Sequence, residues 1–232
     1  MRVIASYVVC NEAQLIGESM RSVKAYVDGF AVVDSAFTTN PIDATHSTDD
    51  TRSVAEIAAA PLPLTYVEAS QKLELENARN QALEMVGDDW AFIIDGDETL
   101  LGHRPELVDL FAAIRLGDIT EPVGVAVYTA NLLFNGHAPK VSTKEYDTLP
   151  VIYSRGVQPR LLPAKGTDWH RVPNGITYGI YRGDDLVKVP ADPRLLLINH
   201  HTRQDFGGYQ HDYLWEMAER QGVKPSHLEP VA

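Results

Sequence analysis

One cysteine in 232 residues, Cys10, excludes an intrachain disulfide framework and any zinc or iron–sulfur site built from several thiolates. That scarcity fits a reducing compartment, and a cytoplasmic protein is expected. Basic side chains are also few: 20 Lys and Arg against 32 Asp and Glu give a net charge of −12 and a pI near 5.0. Such a balance disfavours a nucleic-acid backbone or an anionic membrane as a partner held by bulk charge. Long apolar runs are missing as well. The opening MRVIASYVVC is shorter than a signal-peptide core with its cleavage site, and no stretch reaches the roughly 20 apolar residues of a transmembrane helix. Repeats and low-complexity tracts are absent. What is present is 44% hydrophobic residues, enough for a sizeable core. We expect one domain over 1–222, with a nucleotide-binding half at 1–100, an acceptor-side half at 101–222 and a loose tail at 223–232.

Along the first hundred residues, strand and helix patterns alternate. Val3 to Val9 is a β-branched run ending at Asn11-Glu12, after which Leu15, Ile16, Met20, Val23 and Val27 recur at helical spacing. Phe30 to Asp34 is a second strand that closes on an acid. Ser47-Thr48-Asp49-Asp50-Thr51 offers helix caps before Val54 to Ala60. Strand Leu64 to Val67, helix Leu73 to Val86 and strand Trp90 to Ile94 follow, the last running into Asp95-Gly96-Asp97-Glu98. This order predicts an α/β fold with a mostly parallel central sheet. Beyond Asp97 a helix near Pro105 to Arg115 precedes short strands at Val123–Thr129, Val151–Ser154, Thr177–Tyr181 and Leu195–Ile198, then a helix near Tyr209–Arg220. This smaller portion reads as antiparallel or mixed, packed beside the parallel half. Ligands of open parallel sheets sit beyond the carboxyl ends of the strands, where Asn11, Asp34 and Asp95 fall.

Two carboxylates two residues apart on a turn suit a hard divalent cation, Mg²⁺ or Mn²⁺, which prefers oxygen ligands. The same residue types are also favoured in an ordinary turn. A different chemistry fits the run Phe92-Ile-Ile-Asp95-Gly-Asp97-Glu-Thr99: it matches the aspartyl-nucleophile turn of haloacid-dehalogenase-like phosphatases, with Asp95 as nucleophile and Asp97 as general acid/base. That family places its strand near the start of the catalytic domain, whereas three strand–helix units come first here.

Taken together, Tyr7-Val-Val-Cys-Asn11-Glu12, Val32-Val33-Asp34-Ser35, Ser47-Thr-Asp-Asp-Thr51, Asn77-Ala-Arg79-Asn80 and Trp90-Ala-Phe-Ile-Ile-Asp95-Gly-Asp97-Glu98 resemble the GT-A fold glycosyltransferases of the family-2 type. The resemblance is strong over roughly the first 100 residues and weak beyond. It implies a metal-dependent, hexosyltransferase-type enzyme that moves a sugar from a nucleotide diphosphate donor to a hydroxyl acceptor. A UDP-sugar is favoured as donor and a GDP-sugar comes second; the acceptor would be a glycan, a protein or a small molecule. By the same resemblance Tyr7, Val9, Asn11 and Asp34 line the nucleotide, Arg79 and Arg203 approach its phosphates, and Asp95 reaches the ribose and the metal. Asp97 binds the metal directly, and His200 in Ile198-Asn199-His200-His201 supplies a third ligand.

The segment Gln158-Pro-Arg160 followed by Asp168-Trp169-His170 is similar to the family's acceptor-side stretch, but Arg171 stands where a Glu is usual. Since inverting members use a carboxylate there as general base, the candidate bases become Asp168, Glu98 and His170. Glu98 is otherwise expected to start a helix. Trp169 is read as a sugar-stacking residue or a core residue. The dozen residues Ser35 to His46 lie between motifs that nearly abut in the family, and are read as a surface insertion. The missing Glu leaves a catalytically idle sugar-nucleotide or glycan-binding module as a further alternative.

Overall fold

The computed structural model describes residues 1–38, 42–100, 105–132, 155–171, 178–187 and 191–202. Four parallel strands open the fold: β1 (Val3–Val9), β2 (Gly29–Asp34), β3 (Leu64–Glu68) and β4 (Trp90–Ile93). Between them run α1 (Ile16–Val23), α2 (Thr51–Ala59) and α3 (Leu75–Val86). The strands lie in the order β3-β2-β1-β4, so the chain winds outward to β3 and then crosses back over β1 to β4. Because both faces are covered, β1, β2 and β4 read as continuous apolar runs.

β5 (Glu98–Leu100), α4 (Pro105–Leu116), β6 (Val123–Leu132), β7 (Arg155–Pro163), β8 (Thr167–Arg171), β9 (Tyr178–Arg182), β10 (Asp185–Leu186) and β11 (Ala191–Thr202) complete the described elements. The mixed portion lies beside the parallel strands, as the sequence suggested, and most of it continues their sheet. β7 pairs antiparallel with β4, and β6, β11 and β5 extend the same eight-stranded sheet, ordered β3-β2-β1-β4-β7-β6-β11-β5. Only β8, β9 and β10 form a second, three-stranded antiparallel sheet.

One face of the large sheet packs Val3, Ala5, Tyr7 and Val9 against Ile16 and Met20 of α1, Ala55 and Ala58 of α2, and Leu107, Leu110, Phe111 and Ile114 of α4. On the opposite face, Leu83 and Val86 of α3 meet Ala31, Ala91, Ile93 and Leu162, and the small sheet closes the layer with Trp169 and Ile180. α1 and α2 approach closely at Gly17, where an added Cβ would stand 2.8 Å from Val54 Cγ1. Among the described residues, no helix is long and apolar enough to cross a membrane.

Helix α2 begins at Thr51, one turn before the expected Val54, because Thr51 is itself buried and bonded into the fold. Glu98 starts β5 rather than a helix. The segment read as a surface insertion is rooted in the core: Ser35 and Ala36 are fully buried, and Ala36 exchanges main-chain bonds with Thr45 and Leu73 at 2.8 and 3.1 Å. The expected strand at Val151–Ser154, the helix near Tyr209–Arg220 and the tail lie outside the described residues.

Candidate functional site at the carboxyl ends of the parallel strands

The ends of β1 and β2 are stitched to the Ser47–Thr51 loop. Asn11, just past β1, has φ of 56°, a left-handed conformation that Asn tolerates better than most non-glycine residues. In that pose its N–H donates to Ser47 Oγ at 2.8 Å and its Oδ1 accepts from Thr48 N–H at 2.8 Å. Asp34, only 1% exposed, accepts from the Ser47 N–H and hydroxyl with Oδ1 and from the Tyr66 hydroxyl with Oδ2. Burial and the facing Asp34 carboxylate together push the Tyr66 phenol above its usual range. Glu12 N–H donates to Thr51 Oγ1 and Ala13 N–H to Asp49, which completes the seam. Asn11 and Asp34 therefore share one loop, and Asp34 Oδ2, which accepts from Tyr66 alone where Oδ1 accepts twice, retains lone-pair capacity for a further donor.

The side chains of Tyr7 and Val9 belong to the core, at 0% and 2% exposure, and the Tyr7 hydroxyl is met by Ser19 at 3.2 Å. What Tyr7 and Val9 can offer a ligand at this end of β1 is their main chain.

At the end of β4 the acidic turn is built around an ion network. Arg79 of α3 reaches Asp95 Oδ1 at 2.7 Å, and Arg160 of β7 lies 3.4 Å from Asp95 Oδ2 and donates to Glu98 Oε1 at 3.0 Å. Glu98 Oε2 accepts from the Asp95 N–H at 2.9 Å. Burial opposes ionisation of Asp95, yet the two guanidiniums outweigh it and hold this carboxyl below its usual value. Glu98 is pushed up to about 7, by burial first, with Arg160 pulling the other way and Asp95 adding repulsion. Asp97 is half-buried by exposed area, but the protein around it removes solvent. That desolvation, with repulsion from Asp95, Glu98 and Glu12, raises its carboxyl well above the ordinary range.

Gly96 is required by close approach: a Cβ there would stand 3.1 Å from Glu12 Cγ and 3.1 Å from Val9 Cγ1.

Arg79 is held from a second side. Its guanidinium carbon lies 4.1 Å from the centre of the Trp169 ring, a cation–π contact. Trp169 is in turn fixed by Asn80, whose Oδ1 accepts from the Trp169 N–H at 2.6 Å and whose amide donates to the Trp169 carbonyl at 3.1 Å. The structure thus places Trp169 in the core as a brace for Arg79.

Alternation along β8 turns Asp168 and His170 to the opposite, exposed face from Trp169. Asp168 lines an open cleft with Leu83, Glu84 and Gly87 at the C-terminal end of α3, and His170 meets the Tyr181 ring edge-on at 5.5 Å. Neither is brought to the acidic turn. The third candidate base, Glu98, is enclosed at 1% exposure with Arg160 on it.

Arg160, read from the sequence only as part of the acceptor-side stretch, stands at the acidic turn, a role sequence reasoning missed. Its signal was a charged residue directly before Leu161-Leu162 in an apolar strand.

Among the described residues, no three His, Cys, Asp or Glu side chains are arranged to hold a metal ion. The backbone of His200 is placed on β11 opposite Ala130, but its side chain lies outside the described residues, as does Arg203 altogether. Among the described residues, the donor chemistry suits a hard cation best at Asp97. Asp97, crowded by three other carboxylates, is the group whose repulsion a cation would relieve, whereas Asp95 is already satisfied by arginine.

Residues 7–116 match a family model described as Glycosyl transferase family 2. This stretch is a family 2 glycosyltransferase segment. It runs from β1 to the end of α4 and contains Asn11, Asp34, Arg79, Asp95 and Asp97, while Arg160 and Trp169 reach the family 2 segment from outside it. No curated protein matches the chain.

Among solved structures, S. aureus TarS 1–349 in complex with UDP-GlcNAc is similar at 14% identity, over 94% of this chain and 64% of that one, with a TM-score of 0.45. A further structure of S. aureus TarS 1–349 aligns at 16% identity over 71% of this chain, which spans 47% of it, with a TM-score of 0.43. The mannosyltransferase PcManGT from Pyrobaculum calidifontis, in complex with GDP-Man and Mn²⁺, is 29% identical over 56% of this chain and 35% of that one, with a TM-score of 0.39.

Proposed function

We propose that the chain transfers a hexose from a nucleoside diphosphate sugar to a hydroxyl acceptor in the cytoplasm. A UDP-sugar is the first donor to test and a GDP-sugar the second. The observation that carries this reading is the coincidence of the family 2 match with an acidic turn at the carboxyl ends of the parallel strands. The loop held by Asn11 and Asp34 forms the nucleotide-base side, and Arg79, steadied by Trp169, faces the anionic portion of the donor. Asp97 is the primary metal ligand, with His200 on β11 as the second ligand to test and Asp95 held by its two arginines beside the site. A divalent cation, Mn²⁺ or Mg²⁺, supplies Lewis-acid charge for a departing diphosphate when bound. Of the three candidate bases, Asp168 and His170 face away from the acidic turn and Glu98 is enclosed beside it.

The phosphatase alternative is not favoured, because an Asp95 nucleophile would have to leave two arginines. Calorimetric titration with UDP and GDP, each with Mn²⁺ and with chelator, tests the donor class and the metal together. Binding of one nucleotide that disappears with chelator is expected, and the D97A variant is expected to lose that binding while unfolding like the wild type. Undiminished Mn²⁺-dependent affinity in D97A would sink the metal assignment.

A further inference from the structure

Among the described residues, the fully buried charged side chains are Asp34, Glu98 and Arg160. Arg160 is the costly one, because its Nε and Nη1 have no hydrogen-bond partner among the described residues. A buried ion pair is weak grounds for stability, and apolar residues of similar volume would usually serve a core at least as well. What Arg160 does instead is geometric. Glu98 Oε2 accepts from the Asp95 N–H and the Glu98 N–H donates to the Asp95 carbonyl, both at 2.9 Å, so Asp95 and Glu98 close the turn as a ring. One nitrogen of Arg160 touches both closing side chains, at 3.0 Å to Glu98 and 3.4 Å to Asp95. Gly96 and Asp97 are the two residues held out by that ring. Three carboxylates crowd the turn, and Arg160 is the cation that enters it from the far half of the chain.

We infer that Arg160 is a positioning residue that clamps the ring of Asp95 and Glu98 and so sets the pose of Asp97. Its functional arm rests on the reading of Asp97 as a metal ligand; its structural arm does not.

Amide hydrogen exchange and calorimetry on the full chain test both arms, with wild type, E98Q, R160K, R160M and R160M/E98Q compared. The double variant keeps the test open if R160M, with Glu98 left uncompensated, fails to fold. In R160M or the double variant, the Asp95 and Glu98 amides should exchange at least tenfold faster. The neighbouring Ile94 amide, bonded to the Ser6 carbonyl at 3.0 Å, should keep its protection. E98Q retains an acceptor for the Asp95 amide and should stay protected. Mn²⁺-dependent nucleotide affinity should fall at least tenfold with Arg160 replaced by Met and recover partially with Lys. Equal loss of protection at Ile94 and at the turn would reduce Arg160 to a general stabiliser and overturn the inference, as would wild-type affinity in the Met variants. If the wild type binds neither nucleotide, the proposed function fails, and the exchange pattern alone still decides the role of Arg160.

Discussion

At the scale of single residues, Asn11 carries two separable loads, a left-handed backbone and an acceptor for Thr48. Replacing it tests each. N11G relieves the backbone constraint and loses only the side-chain bond, an expected loss of about 1 kcal/mol. N11A loses the bond and keeps a Cβ in the left-handed region without the polar side chain that eases Asn there, an expected loss of about 2 kcal/mol. Urea unfolding of the two variants measures the gap, and equal midpoints would mean that the backbone at Asn11 relaxes freely. The position of Asn11 was legible in the sequence, since an Asn directly after a β-branched run marks a strand end. Its bonding to the Ser47–Thr48 loop was not, because the partners are 36 and 37 residues away and only the fold brings them together. The burial of the Tyr7 side chain was hidden for a related reason: period-2 alternation fixes which side of β1 it faces, but not whether a helix covers that side, and here α1 does.

The elements divide by how strongly their pattern speaks. β1, β2, β4 and the helices between the parallel strands stand out because these strands are apolar along most of their length and each helix repeats at helical spacing. β7 is hidden by Pro159 and Arg160, one unable to donate to a ladder and the other charged. The strand tolerates Pro159 because its pairing with β6 shifts register there and its pairing with β4 begins only at Leu161. β5 has three residues, too short for any periodicity to register. Between elements, the link from α3 to β8 rests on Asn80, which pairs with both main-chain groups of Trp169. N80A is expected to lower stability by about 1–3 kcal/mol for each main-chain group left unpaired. It should also let Trp169 slide from Arg79, which a change in tryptophan emission would report. An unchanged spectrum and midpoint would show that packing alone seats β8.

For the molecule as a whole, the family 2 segment ends at 116, yet the sheet it belongs to does not. Cutting there removes β7, which exposes the edge of β4 and strips the turn of Arg160. A 1–116 fragment is therefore expected to be aggregated or loosely packed, with poorly dispersed amide resonances. A well-dispersed monomer spectrum would contradict this.

The same dependence has a consequence in time. Arg160 follows Glu98 by 62 residues, so at roughly 5–20 residues per second a ribosome delivers it about 3–12 s after the carboxylates it joins. Until then the nascent strand β4 has a neighbour on one side only, and its acidic end has reason to stay in water. The order of synthesis thus makes the turn close later than the parallel strands that carry it.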